Sequence, residues 1–385
     1  ALTEDLQKFS QKAQASGRHL MMIIIDFLVL SKVEAGKLRI EATEFQLSKV
    51  LKSAIDTVAT GAADKDIELI VTIDKAVAPQ LIGDPLRLTQ ILMNYLSNAL
   101  KFTKSGEIIL AVAPDPQASA PNSLRFSVTD TGIGLSPDQL SRLFQSFSQA
   151  EDSTARLYGG SGLGLAICQQ LASLMGGEVG VTSAPGVGST FWVTLPLAPA
   201  TLPTRRPRRH FPLRGRHVAV VDDNPRAAEM VASILRDAGA KVTTLPSGPA
   251  LLDAIAAAAA EGKPIDVAII DSTMPDASGL DCPQILHKAG LPVPKLVLMS
   301  KKGGQDVVET ALRTGFDDLV TKPIKPAVVV DRLTSLLHST KDRRPPAPLP
   351  ALPVVDAPIL PFHGRHALVV DDNPMNVELA AAMLT

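Results

Sequence analysis

Two stretches of the sequence carry residues whose types and spacing suit phosphate and metal chemistry. In the first, GDPLRLTQILMNYLSNALK (83–101), Asn94 and Asn98 lie four residues apart in a run with helical apolar periodicity, so both amides share one helix face. An amide oxygen at that position is a neutral ligand for Mg²⁺ that also holds phosphate oxygens. Lys101 follows on the same face, where it can meet a phosphate as a point charge.

The second stretch supplies a carboxylate and closely spaced glycines. Asp130 ends an apolar run and can accept a hydrogen bond from an exocyclic amine, while Gly132 and Gly134 let the backbone approach a flat ligand. Further glycines precede a helical run and offer free amides at its start: Gly160, Gly162 and Gly164. Each feature alone is also typical of a turn or a helix cap, but together, in this order, they indicate an ATP·Mg²⁺ pocket.

The same residues resemble a known family. GDPLRLTQILMNYLSNALKFT is similar to the N box of histidine-kinase ATP-binding domains, DTGIGLS and GGSGLGLA to their G boxes, and LFQSFSQ to their F box. The resemblance implies that Asn94 orients the attacking imidazole or a water, that Asn98 holds Mg²⁺ with the ATP, and that Asp130 reads adenine. Leu163 and Thr190 complete the implied ATP-binding set.

Between the F box and the last glycines, the polar segment SQAEDSTARLYGG (148–160) is interpreted as a lid over the nucleotide. Lids of this family often carry two basic residues at the positions of Arg156 and Leu157, and here only Arg156 is basic. The resemblance makes Arg156 catalytic together with Asn94 and Lys101. The replacement of the second basic residue concerns the steering of the γ-phosphate and leaves nucleotide binding intact.

Residues 1–40 carry a heptad seam. Apolar or small residues alternate at spacings of three and four: Leu6, Phe9, Ala13, Ser16, Leu20, Ile23, Phe27 and Leu30. The seam predicts part of a helical hairpin or dimeric four-helix bundle, and one amphipathic helix packed inside a domain is the alternative. The segment resembles the second helix of the dimerisation and phosphotransfer domain of the family, ending in SKVEAGKL, which implies a homodimer.

In that family the phosphoacceptor histidine lies in an HExxTP-like motif, and no such motif occurs in this sequence. His19 falls within the second helix and is interpreted as structural. The acceptor is therefore expected outside this fragment, which is interpreted as starting just after the hairpin turn.

Residues 41–198 alternate between helical and strand periods, which predicts an α/β sandwich ATPase domain, GHKL-type by the resemblance. The predicted helices are 47–63 and 84–103, and the predicted strands are 67–73, 108–112, 124–130, 178–182 and 190–195.

From His217 the pattern becomes βαβα, which predicts a doubly wound parallel sheet within residues 214–340. Polar residues fall at the carboxyl ends of the predicted strands, where such sheets bind ligands: Asp222, Asp223, Asp271, Ser300 and Lys322. Three converging carboxylates repel one another unless a divalent cation lies between them. An isolated acidic pair after a strand would more often be a cap or a turn.

DSTMPDASG around Asp271 and TKP at Lys322 resemble a flavodoxin-like (βα)5 response-regulator receiver. The resemblance implies that Asp271 is the phosphoacceptor and that it holds Mg²⁺ together with Asp222 and Asp223. It also implies that Lys322 pairs with the phosphoryl group.

The resemblance makes the Ser300 hydroxyl the switch partner of the phosphoryl group. Receivers usually have Tyr or Phe where this chain has Leu319, so aromatic switching is a departure from the pattern.

Proline-rich segments separate the domains. Residues 199–213 contain four arginines but no aromatic platform on which bases could stack, which favours a solvated spacer over a nucleic-acid or lipid patch. Residues 341–363 form a second linker. GRHALVVDDNP at Gly364 then repeats GRHVAVVDDNP at Gly215 and opens a second receiver over residues 364–385, with Asp371 and Asp372 at its acidic pair.

Composition sets wider bounds. The 385 residues are 45% apolar with a net charge of −1, which indicates two or three domains and argues against nucleic-acid or membrane-surface partners. Cys168 and Cys282 lack metal-ligand spacing and are expected to be buried free thiols. No signal peptide is visible, and the run MMIIIDFLVL is too short to cross a bilayer.

The order of these domains resembles that of hybrid sensor histidine kinases of the BarA type. The resemblance implies a cytoplasmic portion of an inner-membrane-anchored bacterial sensor, attached through segments outside this fragment. It also implies ATP and Mg²⁺ as cofactors, onward transfer to Asp271 or the second receiver, and a downstream His-phosphotransfer domain and response regulator as partners. A GHKL-type ATPase of the gyrase, Hsp90 and MutL class and a scaffold that binds ATP without turnover remain as alternatives.

Overall fold

The computed structural model describes residues 31–338 except 34, 36, 119, 145–162, 201–210, 275–278 and 302–303. These residues all belong to one compact unit, Ala1–Ser339. Several sequence predictions lie outside the described residues: most of the heptad helix with His19, the lid with Arg156, Gly160 and Gly162, most of the first linker, the whole of the second linker, and the second receiver.

The N-terminal domain consists of a helical layer on a mixed sheet. Its elements are β1 (Thr43–Gln46), α1 (Leu47–Asp64), β2 (Glu68–Ile73), β3 (Gln80–Gly83), α2 (Pro85–Phe102), β4 (Glu107–Pro114), β5 (Ser123–Asp130), α3 (Pro137–Arg142), α4 (Gly164–Leu174), β6 (Glu178–Ala184), β7 (Gly188–Pro196) and β8 (Ala198–Pro199). The main sheet has the strand order β2-β4-β5-β7-β6, with β2 and β4 parallel and the other neighbours antiparallel. This confirms the predicted α/β sandwich.

Alternation along the strands explains the two layers. In β5, Leu124, Phe126 and Val128 are buried while the residues between them are partly exposed. The buried set packs with the apolar stripes of α1, α2 and α4 in one core. The sheet therefore presents one face to the helices, and its strand ends carry the polar residues of the site.

The helix α2 is fixed at both ends by its own sequence. Asp84 caps the N-terminus, accepting hydrogen bonds from Leu86 N at 3.1 Å and Arg87 N at 3.0 Å, and Pro85 occupies the first turn, where a missing N–H costs nothing. Thr103 follows the last helical residue in an extended conformation. The predicted helix 84–103 is therefore confirmed, with its two end residues acting as caps.

A small second sheet was not predicted from the sequence. Strand β3 pairs antiparallel with β1 on one side and with β8 on the other, and Ala200 N donates to Gln80 O at 3.0 Å. Strands of this length hold too few residues for an alternating pattern to be recognised. The sheet ties the end of the domain to the residues that lead into α2.

The C-terminal domain is a doubly wound sheet, as predicted. Its elements are β9 (His217–Val221), α5 (Pro225–Asp237), β10 (Lys241–Leu245), α6 (Gly248–Ala260), β11 (Val267–Asp271), a 3₁₀ turn (Gly279–Asp281), α7 (Cys282–Lys288), β12 (Lys295–Ser300), α8 (Gln305–Thr314), β13 (Asp318–Thr321) and α9 (Pro326–His338). The strands are all parallel in the order β10-β9-β11-β12-β13.

Each face of the parallel sheet has its own core. Val220 and Ile269 belong to one apolar cluster, and Val221 and Ile270 belong to the other. Leu213, fully buried, packs in the first of these clusters, so the domain begins at or before this residue. Within the described ranges, no helix is both long and apolar enough to span a membrane.

Candidate functional site

The asparagine pair on α2 meets the start of α4. The Asn98 amide nitrogen donates to the Asn94 oxygen at 3.0 Å, and both side chains are half-buried. Gly164, the first residue of α4, lies so close that a Cβ on it would be 2.0 Å from the Asn94 amide nitrogen. Leu163 is buried just before it. The structure thus brings Asn94, Asn98 and Gly164 together, and a side chain at position 164 would displace the amide.

Asp130 lies at the end of β5 and is buried. Its carboxylate accepts a hydrogen bond from Gly132 N at 2.8 Å. Burial raises the pKa of Asp130, while backbone hydrogen bonds from Gly132 and Ser189 oppose that rise. The result is a buried acceptor at the strand end, which suits a neutral amine donor such as that of adenine.

Close backbone contacts leave no room for a side chain at two glycine positions that follow Asp130. A Cβ on Gly132 would lie 2.6 Å from the carbonyl oxygen of Phe102, the last residue of α2. Gly134 has φ of +66°, and a Cβ there would lie 2.0 Å from Ala184 O. The backbone after Asp130 therefore runs against the end of the asparagine-bearing helix.

Two further predicted residues, Lys101 and Thr190, lie on α2 and β7 of the same domain. Lys101 is half-buried near the end of α2, burial lowers its pKa, and its Nζ lies 4.9 Å from the centroid of the Phe102 ring. Thr190 on β7 faces Thr129 on β5, with the two hydroxyl oxygens 2.9 Å apart. A buried carboxylate acceptor, glycine backbone, an amide pair and a lysine together fit an adenine nucleotide with its phosphates.

In the C-terminal domain, three carboxylates converge at the carboxyl ends of β9 and β11. One oxygen from each of Asp222, Asp223 and Asp271 lies within 4.8 Å of the others. Asp271 Oδ1 is buried and has no hydrogen-bond partner among the described residues. An orphaned buried carboxylate oxygen beside two further carboxylates is the donor set that a divalent cation with oxygen ligands requires, so the residues fit Mg²⁺.

The same cluster has strongly shifted ionisation. Burial raises the pKa of Asp271 to about 6; Asp222 and Glu68 add to the rise and Lys322 opposes it. Burial also raises the pKa of Asp222. Burial alone would lower the pKa of Lys322, but Glu68 and the two aspartates outweigh it and raise the pKa overall. The lysine is therefore a permanent cation among these carboxylates.

Ser300 and Leu319 lie on the two strands beyond the acidic cluster. Ser300, buried, ends β12, and its carbonyl accepts from Lys322 N at 2.8 Å. Leu319 on β13 is buried in the apolar core that also contains Val221 and Ile270. The position where receivers usually carry an aromatic ring is thus filled by an aliphatic core residue.

One residue of this site was missed by sequence reasoning. Glu68, the first residue of β2 in the N-terminal domain, places Oε1 2.8 Å from Lys322 Nζ. A single glutamate at the start of an apolar strand carries no local signal, because its partner is distant in sequence and belongs to another domain. Cys168 and Cys282 are both buried free thiols, as predicted from the sequence.

The two sites correspond to two known families. The family described as histidine kinase-, DNA gyrase B- and HSP90-like ATPase matches residues 83–199, and the response regulator receiver domain matches residues 218–334. An ATPase domain of this kind followed by a receiver defines the hybrid sensor kinase class.

Relatives place the chain more narrowly. The sensor histidine kinase GacS of Pseudomonas protegens is 34% identical over 371 residues, which are 96% of this chain and 39% of the relative. The signal transduction histidine-protein kinase BarA of Escherichia coli K12 is 33% identical over 374 residues, 96% of this chain and 38% of the relative. The crystal structure of full-length ShkA in complex with AMPPNP superposes with a TM-score of 0.68 at 27% identity, covering 98% of this chain and 72% of that one.

The chain therefore contains an ATPase domain of the first family and a receiver domain of the second, and over 96% of its length it is similar to sensor histidine kinases of two-component systems. It spans about two fifths of the length of the curated relatives it matches, 39% for GacS and 38% for BarA. These matches support the histidine kinase class over the two alternatives considered from the sequence.

Proposed function

We propose that the ATP-binding domain positions Mg·ATP so that its γ-phosphoryl group is transferred to a histidine outside residues 1–385, and that Asp271 of the receiver then accepts it. The observation that carries this proposal is the presence, in one folded unit, of the Asn94–Asn98–Gly164 cradle and of the Asp222–Asp223–Asp271 cluster. Phosphoryl transfer needs positioning and charge neutralisation more than covalent chemistry, and both sites supply these.

In the first step, Asp130 and the backbone beside Gly132 orient the adenine, and Asn98 contributes an oxygen to the metal. Asn94 orients the attacking imidazole. Lys101 and Arg156 balance charge on the phosphates. The imidazole nitrogen forms a bond to the γ-phosphorus as the bond from phosphorus to the β–γ bridging oxygen breaks, and ADP leaves with that electron pair.

In the second step, a carboxylate oxygen of Asp271 attacks the phosphorus of the phosphohistidine, and the phosphorus–nitrogen bond breaks with the electron pair returning to the imidazole. Mg²⁺, when bound, neutralises charge on the transferred group. Asp222 and Asp223 hold the metal, Lys322 pairs with the product, and the Ser300 hydroxyl turns towards the new phosphate oxygens.

Partners and location follow from the same proposal. Family membership implies phosphorelay partners, which we take to be a His-phosphotransfer domain and a response regulator. We place the homodimer contact in the heptad segment of residues 1–40. Because the reaction consumes ATP, we place this chain on the cytoplasmic side, with any inner-membrane anchor in segments outside it.

The receiver half is tested with acetyl phosphate and Mg²⁺ on the full chain, followed by intact mass. Wild type should gain one phosphoryl group as acetate leaves with the electron pair of the broken bond, and Asp271→Asn should not. Asp253→Asn, an exposed aspartate on α6, is the matched control. A phosphoryl adduct of equal yield in Asp271→Asn would refute the acceptor assignment.

The kinase half is tested with γ-labelled ATP and a supplied histidine-bearing helical hairpin. Acid-labile, base-stable label should form on the supplied partner and should be lost in Asn98→Ala. Label of that kind on the chain alone would place the acceptor within residues 1–385 and point to His19.

A further inference from the structure

The Lys322 ammonium of the receiver site is shared by three carboxylates, one of which belongs to the other domain. Its Nζ lies 2.8 Å from Asp222 Oδ2, 3.2 Å from Asp271 Oδ2 and 2.8 Å from Glu68 Oε1. Glu68 opens β2 and is only 8% exposed. The ammonium donates a hydrogen bond to Asp222 Oδ2 and lies within ion-pair distance of the other two carboxylates, so three anions share one cation.

Glu68 is held in this position by a second cation. Lys301 Nζ lies 3.3 Å from Glu68 Oε2 and 2.9 Å from Asp66 Oδ1, and it donates to the Asp66 carbonyl at 3.2 Å. Asp66 adopts a left-handed conformation with φ of +57°. A buried carboxylate is costly unless paired, and among the described residues the two receiver lysines Lys301 and Lys322 pair with Glu68.

The surrounding contacts are mainly polar and complementary in charge. Next to the acidic cluster, Asn224 donates to Glu107 Oε2 at 2.9 Å and Arg226 pairs with the same carboxylate. In one further pair the charges are reversed between the domains: Lys75 Nζ of the ATP-binding domain lies 2.5 Å from Asp237 Oδ1 of the receiver. Arg226, Lys75 and Asp237 are each more than half exposed, and ion pairs with exposed partners contribute little individually. We therefore expect the buried Glu68 contact to contribute most to the docking.

The helix α5 of the receiver also covers a strand edge. It packs against β2, an outer strand of the main sheet that pairs with β4 alone among the described residues. An outer strand that is not covered presents unpaired backbone groups to solvent. The hydrogen exchange rate of the β2 amides therefore reports whether the receiver is docked.

We propose that Glu68 is an internal ligand of the receiver's phosphorylation pocket, docking the receiver on the ATP-binding domain until a phosphoryl group on Asp271 displaces it. This inference rests on the proposed phosphorylation of Asp271. A phosphoryl group brings negative charge and acceptor oxygens to Lys322, whose ammonium is already shared by three carboxylates. The Glu68 carboxylate and the phosphoryl group are two anions that compete for one ammonium. Docking therefore makes phosphorylation of Asp271 less favourable, and phosphorylation makes docking less favourable by the same factor.

The test uses the full chain with Mg²⁺ and trifluoroberyllate, an ion that coordinates the acceptor carboxylate in place of a phosphoryl group. Hydrogen–deuterium exchange is followed in peptides covering 66–73 and 225–237, and binding is followed separately by ¹⁹F NMR. In wild type, trifluoroberyllate should accelerate exchange in both segments. In Glu68→Gln the exchange should already be fast without trifluoroberyllate. The trifluoroberyllate concentration that half-saturates this variant should be about tenfold lower than that for wild type, which is a typical coupling factor.

Glu178→Gln is the matched control, since Glu178 opens β6, the opposite outer strand of the same sheet, and is exposed. This variant should behave as wild type. Glu107→Gln, which leaves the receiver pocket intact, should raise exchange in both segments by a smaller factor and keeps the test decisive if Glu68→Gln folds poorly.

The outcomes separate this inference from the function on which it rests. Binding of trifluoroberyllate to wild type without faster exchange, or a Glu68→Gln variant that matches wild type in both readouts, would overturn the displacement alone. Failure of both proteins to bind trifluoroberyllate would overturn the phosphorylation of Asp271 and the displacement together. Binding to Glu68→Gln but not to wild type would support both.

Discussion

The Asn98 side chain donates to Asn94 one helical turn earlier, at 3.0 Å. The amide nitrogen of Asn98 is occupied by this bond, so its oxygen is the atom that remains directed for a cation. We therefore expect Asn94 to orient the Asn98 oxygen towards the metal, in addition to its own proposed role at the attacking group. Glycine at position 164 permits this arrangement, because a Cβ there would lie 2.0 Å from the Asn94 amide nitrogen.

Asn98→Ala should remove most of the gain in ATP affinity that Mg²⁺ provides, at a cost of about 1–3 kcal/mol, while ATP binding in EDTA changes little. Calorimetry with and without Mg²⁺ measures both values. Ser97→Ala, an exposed neighbour on the same helix, is the control. An equal loss of affinity with and without Mg²⁺ would contradict the metal role.

Asp130→Asn should weaken ATP binding by about 1–3 kcal/mol, because a buried charged acceptor of the adenine amine is replaced by a group that also donates. Binding of ITP, which lacks that amine, should change less. Asp138→Asn at the exposed start of α3 serves as the reference. If ATP and ITP lose affinity equally, Asp130 does not read the base.

Gly164→Ala should lower nucleotide affinity by roughly tenfold or more, since the new Cβ would displace the Asn94 amide from 2.0 Å away. Titration with a fluorescent ATP analogue measures the change. Gly248→Ala adds a methyl to the first residue of another helix, α6, where its Cβ makes an ordinary contact of 3.4 Å with Cys282 Sγ. This control should bind as wild type does, and an unchanged affinity in Gly164→Ala would reject the contact.

The raised pKa of Asp271 gives a prediction of stability against pH in the absence of metal. Burial raises this pKa to about 6, whereas the unfolded chain has an aspartate pKa of about 3.9. The stability that the protonated group contributes is therefore present below pH ~4 and is lost as the pH rises through about 6. In EDTA, Asp271→Asn should raise the free energy of unfolding by about 2–3 kcal/mol at pH 7.5 and by much less at pH 4.

Denaturant unfolding followed by far-UV circular dichroism checks this expectation. Trp192, the only tryptophan of the sequence, lies on β7 and separately reports the ATP-binding domain by fluorescence, which should not respond. Asp253→Asn is the control, being an exposed aspartate in the same receiver. A stabilisation of the same size at both pH values would show that the substitution acts by another route.

The long elements were predictable because each has its own repeated pattern. The apolar period and the Asp84-Pro85 start defined α2, and alternation in 124–130 defined β5. The strands β1, β3 and β8 were not predicted, since pairing between short segments is decided by tertiary contacts. The same limit applies to the sites: the order of motifs pointed to Asn98 and Asp271, but the contact of Glu68 with Lys322 joins residues that nothing local connects.

The pairing of β8 with β3 has a mechanical consequence. Beyond Ala200 the chain continues to the receiver, while β3 runs directly into Asp84, the cap of α2. A tensile load applied at Ala200 would be borne first by the few hydrogen bonds that hold Ala198–Pro199 and Ala200 to β3. Those bonds would yield before the buried core does, so receiver movement could stretch the connection while the asparagine-bearing helix keeps its shape.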